Sequence, residues 1–537
     1  MIPFLRPLRN LTVSILVITL IAMWLTQAHF GRVPVLMLVA GLALYATCYL
    51  IRWLQPGYRE QAIAAAVVIS FYFCSAITSV KPEEVTTVPD ATHLTGFYQG
   101  LTESLLKGQL TLPVKPEQGL INAANPYAPG RNYPFVWDAS YYQGKYYIYF
   151  GLTPVMTLFL PFRVLTQRSL PNPFALLIFL VAGFIGSLFA LDRARRRCGI
   201  KRPTVPIQVL TVLLLGFASM SPLVLRRPAI YEVAISSAYC FSMWGLYSLI
   251  RYFERQSSGS AFLASLFFAL TVGSRPTYGV LAGLLAIATA VLIHSRWKLD
   301  GWAVVYRMAP LWAPIGSMVF LIGLYNKLRF DDWTEFGLRY QLDHLDMYNM
   351  KVNVANALRG AAYYLFSTPL YSPHFPGIHG NLTTHPFSLG RHPGIHEDVI
   401  GVFGAIPVTC FVALGPLVAW YRKSRWLFLI TAGLTGFAGF MVFAVSNIGV
   451  SARYELDFVP SLLLASTLAF YGLCSHGNRV LRAAAEILWV PAACFSITVG
   501  IMASVSDFQN SSLQTHYPST YRVMRQLLWP EGKQFDP

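Results

Sequence analysis

Apolar residues run for about twenty positions at a time along most of this chain, with short polar stretches between the runs. Crossing the hydrocarbon of a bilayer takes about 20 apolar residues in a helix. Without the alternating pattern of barrel strands, helices are the only spanning element open to it. The pattern predicts thirteen spans, at 11–29, 33–51, 61–80, 172–191, 205–222, 230–250, 260–274, 277–294, 308–326, 397–420, 426–446, 455–474 and 484–505. Two polar segments interrupt them, 81–150 and 327–396, and a tail follows at 506–537. The first run, from Leu11, has no small-residue cleavage site behind it and reads as a retained helix.

One stretch sets the topology. Residues 151–166 are apolar, but they number only 16 and include two prolines, which is short for a span and suits a segment lying in the membrane surface. As an interfacial helix it leaves every major basic cluster on one side: Arg6/Arg9, Arg52/Arg59, the block Arg193–Arg202, Arg251/Arg255, Arg296/Lys298, Arg422/Lys423/Arg425 and Arg479/Arg482. Basic loops face the cytoplasm, so the N-terminus is expected inside and the C-terminus outside. The expected organisation is N-terminal spans (1–80), an exoplasmic loop with interfacial helices (81–170), central spans (171–326), a second exoplasmic loop (327–396), C-terminal spans (397–505) and an exoplasmic tail (506–537).

Composition agrees with an all-α polytopic membrane protein. Of 537 residues, 55% are hydrophobic and only 12% charged, against roughly 25% charged in a soluble domain. Disorder, collagen, coiled coil and a secreted disulfide scaffold are excluded. The net charge of +17 does not signal nucleic acid, because no basic face combines with stacking aromatics on a soluble module. Seven cysteines lie outside the two polar segments, so no disulfide is expected within those segments.

The candidate chemistry lies at the exoplasmic ends. Asp90 follows Pro89 at the start of an amphipathic stretch marked by Leu94, Phe97, Tyr98, Leu101 and Leu105; a helix cap, worth about 1 kcal/mol, explains it as readily as catalysis. The run Trp137–Gly151, which contains Asp138, Lys145 and Tyr146, suits an interfacial aromatic belt or a stacking platform for sugar rings. Glu232 opens a span just after Arg226 and Arg227; an ionisable residue there is functional by default, although the arginines offer neutralisation. Arg275 and Arg453 break the positive-inside pattern and are suited either to holding a lipid phosphate bidentately or to snorkelling. His93, Lys145 and Tyr146 complete the expected substrate-binding set. Histidines 374, 379, 385, 392 and 396, with Glu397 and Asp398, match no zinc spacing. The sequons at Asn381 and Asn510 carry little weight.

The order of these features resembles the GT-C glycosyltransferases, especially bacterial homologues of protein O-mannosyltransferases and lipid A aminoarabinose transferases. The likeness rests on Asp-Ala-x-x at 90–93, Leu-Leu-x-Gly at 105–108, the basic block from Asp192, Ser-Pro-Leu-x-Leu-Arg-Arg-Pro-Ala-Ile-x-Glu at 221–232, and a short turn holding Arg275. It covers approximately residues 61–330. Looser features are Arg-Phe-x-x-Trp-x-Glu-Phe-Gly-x-Arg-Tyr-Gln-Leu at 329–342 and Ala-Arg-Tyr-x-x-Asp-Phe-x-Pro at 452–460. Where the family often has Asp-Glu, this chain has Asp90-Ala91, and it carries an extra pair of N-terminal spans.

The resemblance implies a GT-C-like fold and transfer of a sugar from a polyprenyl-phosphate donor to an exoplasmic glycan, lipid or protein. Asp90 corresponds to the first-loop acid, Glu232 to the acid opening a later span and Arg275 to the basic residue of the short turn. The chemistry assigned to the residues agrees: Asp90 as base, Glu232 orienting, Asp138 supporting, and Arg275 and Arg453 on the phosphate. No cofactor is required by that chemistry, and a divalent cation is optional. The expected location is a bacterial inner membrane. The competing readings are an O-antigen-type polymerase or ligase and a transporter or flippase of lipid-linked sugars; internal repeats and mid-span charges, the usual marks of a transporter, are absent.

Overall fold

The computed structural model describes residues 58–79, 96–281, 302–343, 353–371, 399–475 and 478–505, with a few isolated positions besides. The main helices are α1 (Tyr58–Ser79), α2 (Phe97–Leu106), α3 (Leu160–Thr166, entered through a π-turn at Val155–Phe159), α4 (Asn172–Arg197), α5 (Val205–Phe217), α6 (Ile230–Arg255), α7 (Ser258–Ser274), α8 (Trp302–Phe330), α9 (Val354–Phe366), α10 (Gly415–Tyr421), α11 (Arg425–Ile448), α12 (Val459–Cys474) and α13 (Arg479–Ala503). Among the described residues, strands are confined to two small antiparallel pairs, β1 (Ser140–Tyr142) with β2 (Lys145–Tyr147) and β3 (Leu370–Tyr371) with β4 (Ile378–His379).

The protein is all-α and polytopic. Seven of the described helices are long and apolar enough to cross a membrane: Tyr58–Ile77, Asn172–Arg197, Val205–Val224, Ile230–Arg255, Met308–Phe330, Arg425–Asn447 and Arg479–Ala503. Ser258–Ser274, Pro407–Tyr421 and Val459–Cys474 are apolar but shorter. The expected spans 11–29 and 33–51, and most of 277–294, lie outside the described residues. The expected span 397–420 is not one helix. A 3-10 segment, Pro407–Leu414, runs into α10 at Gly415, and a proline stands in the first turn of each piece, where it lacks the amide to continue an earlier helix. Likewise the 455–474 run begins as a 3-10 turn, Ala452–Asp457, before α12, and the 205–222 run breaks at Met220, whose φ is +68°.

The chain divides into two compact units. The first takes Met1–Ser79, Phe184–Arg227 and Asn353–Pro537; the second takes Val80–Gly183 and Pro228–Val352.

In the first unit, α1 meets α5 where Tyr72 Oη donates to Gly216 O at 2.6 Å, and α12 meets α13 through the stacked pair Phe470–Trp489 at 4.2 Å. One end of this unit gathers basic residues. Arg197 lies 4.0 Å over Trp426 and Arg202 lies 3.8 Å over Tyr58, while Arg422 donates to Gly472 O at 3.3 Å and Gly199 O at 3.4 Å. Three of the clusters assigned to one side by charge therefore do share one end.

In the second unit, α6 and α7 form an antiparallel pair. Gln256 stops α6 in a left-handed conformation (φ 50°), and Ser257 caps α7 by accepting from Ser260 N at 3.3 Å. Ser237 Oγ and Ser274 Oγ lie 2.8 Å apart at the far end. The start of α4 joins the start of α6, Asn172 Nδ2 donating to Pro228 O at 3.0 Å. Helix α8 seals α7 through Phe268, Ala269 and Ile315.

The loop before α4 folds onto this frame. Tyr98 of α2 packs on Phe159 at 5.4 Å, and Arg163 pairs with Glu103 at 2.5 Å. Helix α3 buries none of its residues, and Leu165 is 82% exposed. With the π-turn it spans Val155–Thr166, a length of about 18 Å against an apolar core of about 30 Å, as an interfacial segment requires.

Candidate functional site

The expected site residues fall into two sets. Asp138, Lys145, Tyr146, Glu232 and Arg275 belong to the second unit, and Arg226, Arg227 and Arg453 to the first. Asp90 and His93 lie outside the described residues. The helix described in their neighbourhood, α2, begins only at Phe97, behind a Gly96 N-cap.

Within the second unit, residues 148–153 are the hub. The aromatic run enters them from the β1–β2 hairpin, whose turn residues Gln143 and Gly144 both have positive φ (47° and 74°), the backbone that two-residue hairpins demand. At one end of the hub stands Asp138. It is buried, takes a left-handed backbone (φ 60°) of the kind aspartate tolerates better than most residues, and its carboxylate accepts from Gln341 Nε2. The same amide nitrogen lies 3.4 Å from Tyr149 Oη. Asp138 N donates to Leu342 O and Leu342 N to Ala139 O, both at 3.0 Å, so the second polar segment clamps the first around this acid.

At the other end of the hub are Glu232 and Arg275. Phe150 meets Tyr231 edge-on at 5.3 Å, which brings the hub to the first turn of α6, where Glu232 is 1% exposed. A carboxylate at that position is favoured by the positive end of the helix. Gly151 packs so closely on the end of α7 that a Cβ there would lie 1.9 Å from Gly273 O and 2.7 Å from Ser274 O. Arg275 is the next residue, half-buried, its backbone closing α7 onto Thr271 O at 3.0 Å. Because α6 and α7 are antiparallel, Glu232 and Arg275 occupy the same end of the pair.

Tyr98 belongs to this neighbourhood. It is fully buried, and its hydroxyl has no hydrogen-bond partner among the described residues. Burial pushes the phenol pKa up, the Tyr325 phenol adds to that, and the charge of Arg275 works against it. The hydroxyl therefore stays protonated, a hydrogen-bond donor with no acceptor among the described residues.

The remaining expectations are placed as follows. Lys145 is exposed at the start of β2, and Tyr146 is 2% exposed with its hydroxyl accepting from Val136 N at 3.3 Å; that ring belongs to the interior of the hairpin. The aromatic run binds the two polar segments together. Tyr142 lies 4.8 Å from Tyr340, Tyr127 stacks on Tyr348 at 5.3 Å, and Phe330 sits among Tyr142, Tyr147 and Tyr340. In the first unit, Arg453 lies in the 3-10 turn over Tyr454 at 5.2 Å. The short helix Ser221–Val224, which leads into Arg226 and Arg227, packs against that turn. Beside Arg453 in sequence, Glu455 is fully buried and accepts from Ile400 N at 3.4 Å.

Among the described residues, no group of three His, Cys, Asp or Glu side chains converges on a metal position. Gln341, Tyr98 and Glu455 carry roles that sequence patterning did not assign. Gln341 stood in the quoted 329–342 motif, but nothing local marks a partner 203 residues away.

No family model matches the sequence, and no curated protein matches it either. Among solved structures, the chain is similar to the apo oligosaccharyltransferase of Archaeoglobus fulgidus, at 12% identity and a TM-score of 0.42 over 81% of this chain and 56% of that one. It is also similar to the oligosaccharyltransferase AglB of Archaeoglobus fulgidus in complex with an inhibitory peptide and a dolichol-phosphate, at 13% identity and a TM-score of 0.39 over 83% and 56%. A structure of the Archaeoglobus fulgidus oligosaccharyltransferase with zinc and sulfate is similar at 13% identity and a TM-score of 0.38 over 81% and 53%. The chain thus spans little more than half the length of these structures.

Proposed function

We propose that the protein is a GT-C-type membrane glycosyltransferase that moves a sugar from a polyprenyl-phosphate donor to an acceptor hydroxyl at the exoplasmic face. The observation that supports this reading is that residues 148–153 touch Gln341, the partner of Asp138, through Tyr149, and touch Tyr231 and Ser274, the chain neighbours of Glu232 and Arg275. Acids and a guanidinium at a span's end suit a reaction between a polar acceptor and a lipid phosphate.

Transfer needs a base for the acceptor proton and stabilisation of the departing phosphate. In this proposal Asp90 takes the hydroxyl proton as the acceptor oxygen bonds to the anomeric carbon. The bond from that carbon to the phosphate oxygen breaks, and polyprenyl phosphate leaves with the electron pair. Arg275 holds the phosphate by charge-assisted hydrogen bonds, and the Tyr98 hydroxyl supplies a further donor. Glu232 orients the acceptor or sugar, and Asp138 stiffens the wall through Gln341. Within the first unit, Arg226, Arg227 and Arg453 are a separate candidate set for a lipid phosphate, and His93 and Lys145 are assigned to binding the substrate. The leaving group carries its own charge, so the step proceeds without a metal, and a divalent cation is an optional aid.

The acceptor is an envelope glycan, lipid or protein, and the location a bacterial inner membrane with the N-terminus cytoplasmic and the C-terminus periplasmic. The test is Asp90→Asn in membranes supplied with polyprenyl-phosphate sugars. A loss of about 100-fold or more is expected from removing a general base; retained turnover at normal expression excludes that role.

A further inference from the structure

Arg329 is a buried charge that feels the Glu335 carboxylate only beyond ion-pair distance. It is the penultimate residue of α8 and 3% exposed, and none of the ion pairs among the described residues includes it. Its guanidinium is spent on neutral acceptors instead. Nη1 donates to Ile148 O, Nη2 to Asn326 Oδ1 at 2.8 Å and Nε to Tyr325 O at 3.3 Å. The plane lies 3.7 Å over the Tyr325 ring and 4.6 Å from the Phe330 ring. Arginine stays charged even when desolvated, and burying that charge has a desolvation cost that an apolar side chain would not have. The negative end of the α8 dipole offsets part of that cost.

Helix packing gives no reason for the charge, since Asn326 and Tyr325 lie on the same turn. Among the described residues, its hydrogen-bond partner outside α8 is Ile148, 181 residues away in sequence. Its carbonyl opens the segment that touches Gln341 through Tyr149 on one side and Gly273, Ser274 and Tyr231 on the other. We propose that Arg329 is a positioning residue: it fixes residues 148–153 to the end of α8 and so sets the spacing between the Asp138 side and the Glu232–Arg275 side of the site. A planar fork reaches three acceptors in three directions at once, which an ammonium on a flexible stem does not.

The experiment compares full-length wild type, Arg329→Lys and Arg329→Met in lipid nanodiscs by amide hydrogen exchange, with α12 and α13 as internal controls. Exchange over 148–153 is expected to be slow in the wild type, at least about tenfold faster in Arg329→Met and intermediate in Arg329→Lys, with the controls unchanged. Should Arg329→Met not fold, Arg329→Lys carries the comparison. Fast exchange in the wild type, unchanged exchange in both variants, or acceleration spread equally over the controls overturns the proposal. A second arm rests on the glycosyl-transfer reading: kcat falls by about a hundredfold, as misplacement near 1 Å does, with KM for the donor changed far less. Absence of transfer by the wild type with every polyprenyl-phosphate sugar would sink that reading alone and leave the exchange result standing.

Discussion

Tyr98 shows how a single hydroxyl separates stability from function. It is buried without a partner among the described residues, and leaving a buried donor unmade costs about 1–3 kcal/mol. Removing the hydroxyl should therefore leave the protein as stable as before, or stabilise it. If the hydroxyl is kept for a substrate oxygen, the same change removes a donor used in turnover. Tyr98→Phe is expected to keep or raise the thermal unfolding midpoint in detergent while transfer falls about tenfold, the worth of one hydrogen bond. A lower midpoint with full activity would assign the hydroxyl to the fold. Asp138 and Gln341 pose a different case, because they are joined by a buried hydrogen bond, and their contribution lies in geometry.

At the scale of elements, the site depends on a close approach of backbones. Gly151 meets Gly273 O with no space for a methyl group, so Gly151→Ala must push the hub away from the end of α7. Overpacking of this kind costs about 1–3 kcal/mol, and it should lower the unfolding midpoint and abolish transfer together; an unchanged midpoint would mean that the hub is not pressed against α7. The elements themselves were largely legible in sequence. Runs of about twenty apolar residues located α1, α4, α6, α7, α8, α11 and α13, and the two prolines and short length of 151–166 marked a segment that folds as a short helix, Val155–Thr166. Legibility failed where backbone chemistry overrides hydrophobicity, at the proline-started pieces within 397–420 and at the left-handed Met220. Glu232 and Arg275 stood out because they are charged residues at the ends of apolar runs. Gln341, and the tie between Arg329 and Ile148, did not, since contacts across some two hundred positions leave no periodic trace.

Over the whole molecule, everything depends on sidedness. The first unit collects Arg197, Arg202 and Arg422 at one end, as the distribution of charge along the sequence demands. The catalytic proposal requires the opposite face for Asp90, Glu232 and Arg275, where a carrier lipid's phosphate meets an acceptor in water. The direct measurement is labelling of single cysteines, in a cysteine-free background, with a membrane-impermeant maleimide. Suitable positions are Ala91, Gly279, where an added side chain meets open space, and the exposed Lys201. The account predicts that Ala91→Cys and Gly279→Cys react in intact cells and Lys201→Cys only after permeabilisation. Labelling of positions 91 and 279 from opposite faces of the bilayer would contradict it, because no single pocket could then hold the base and the phosphate.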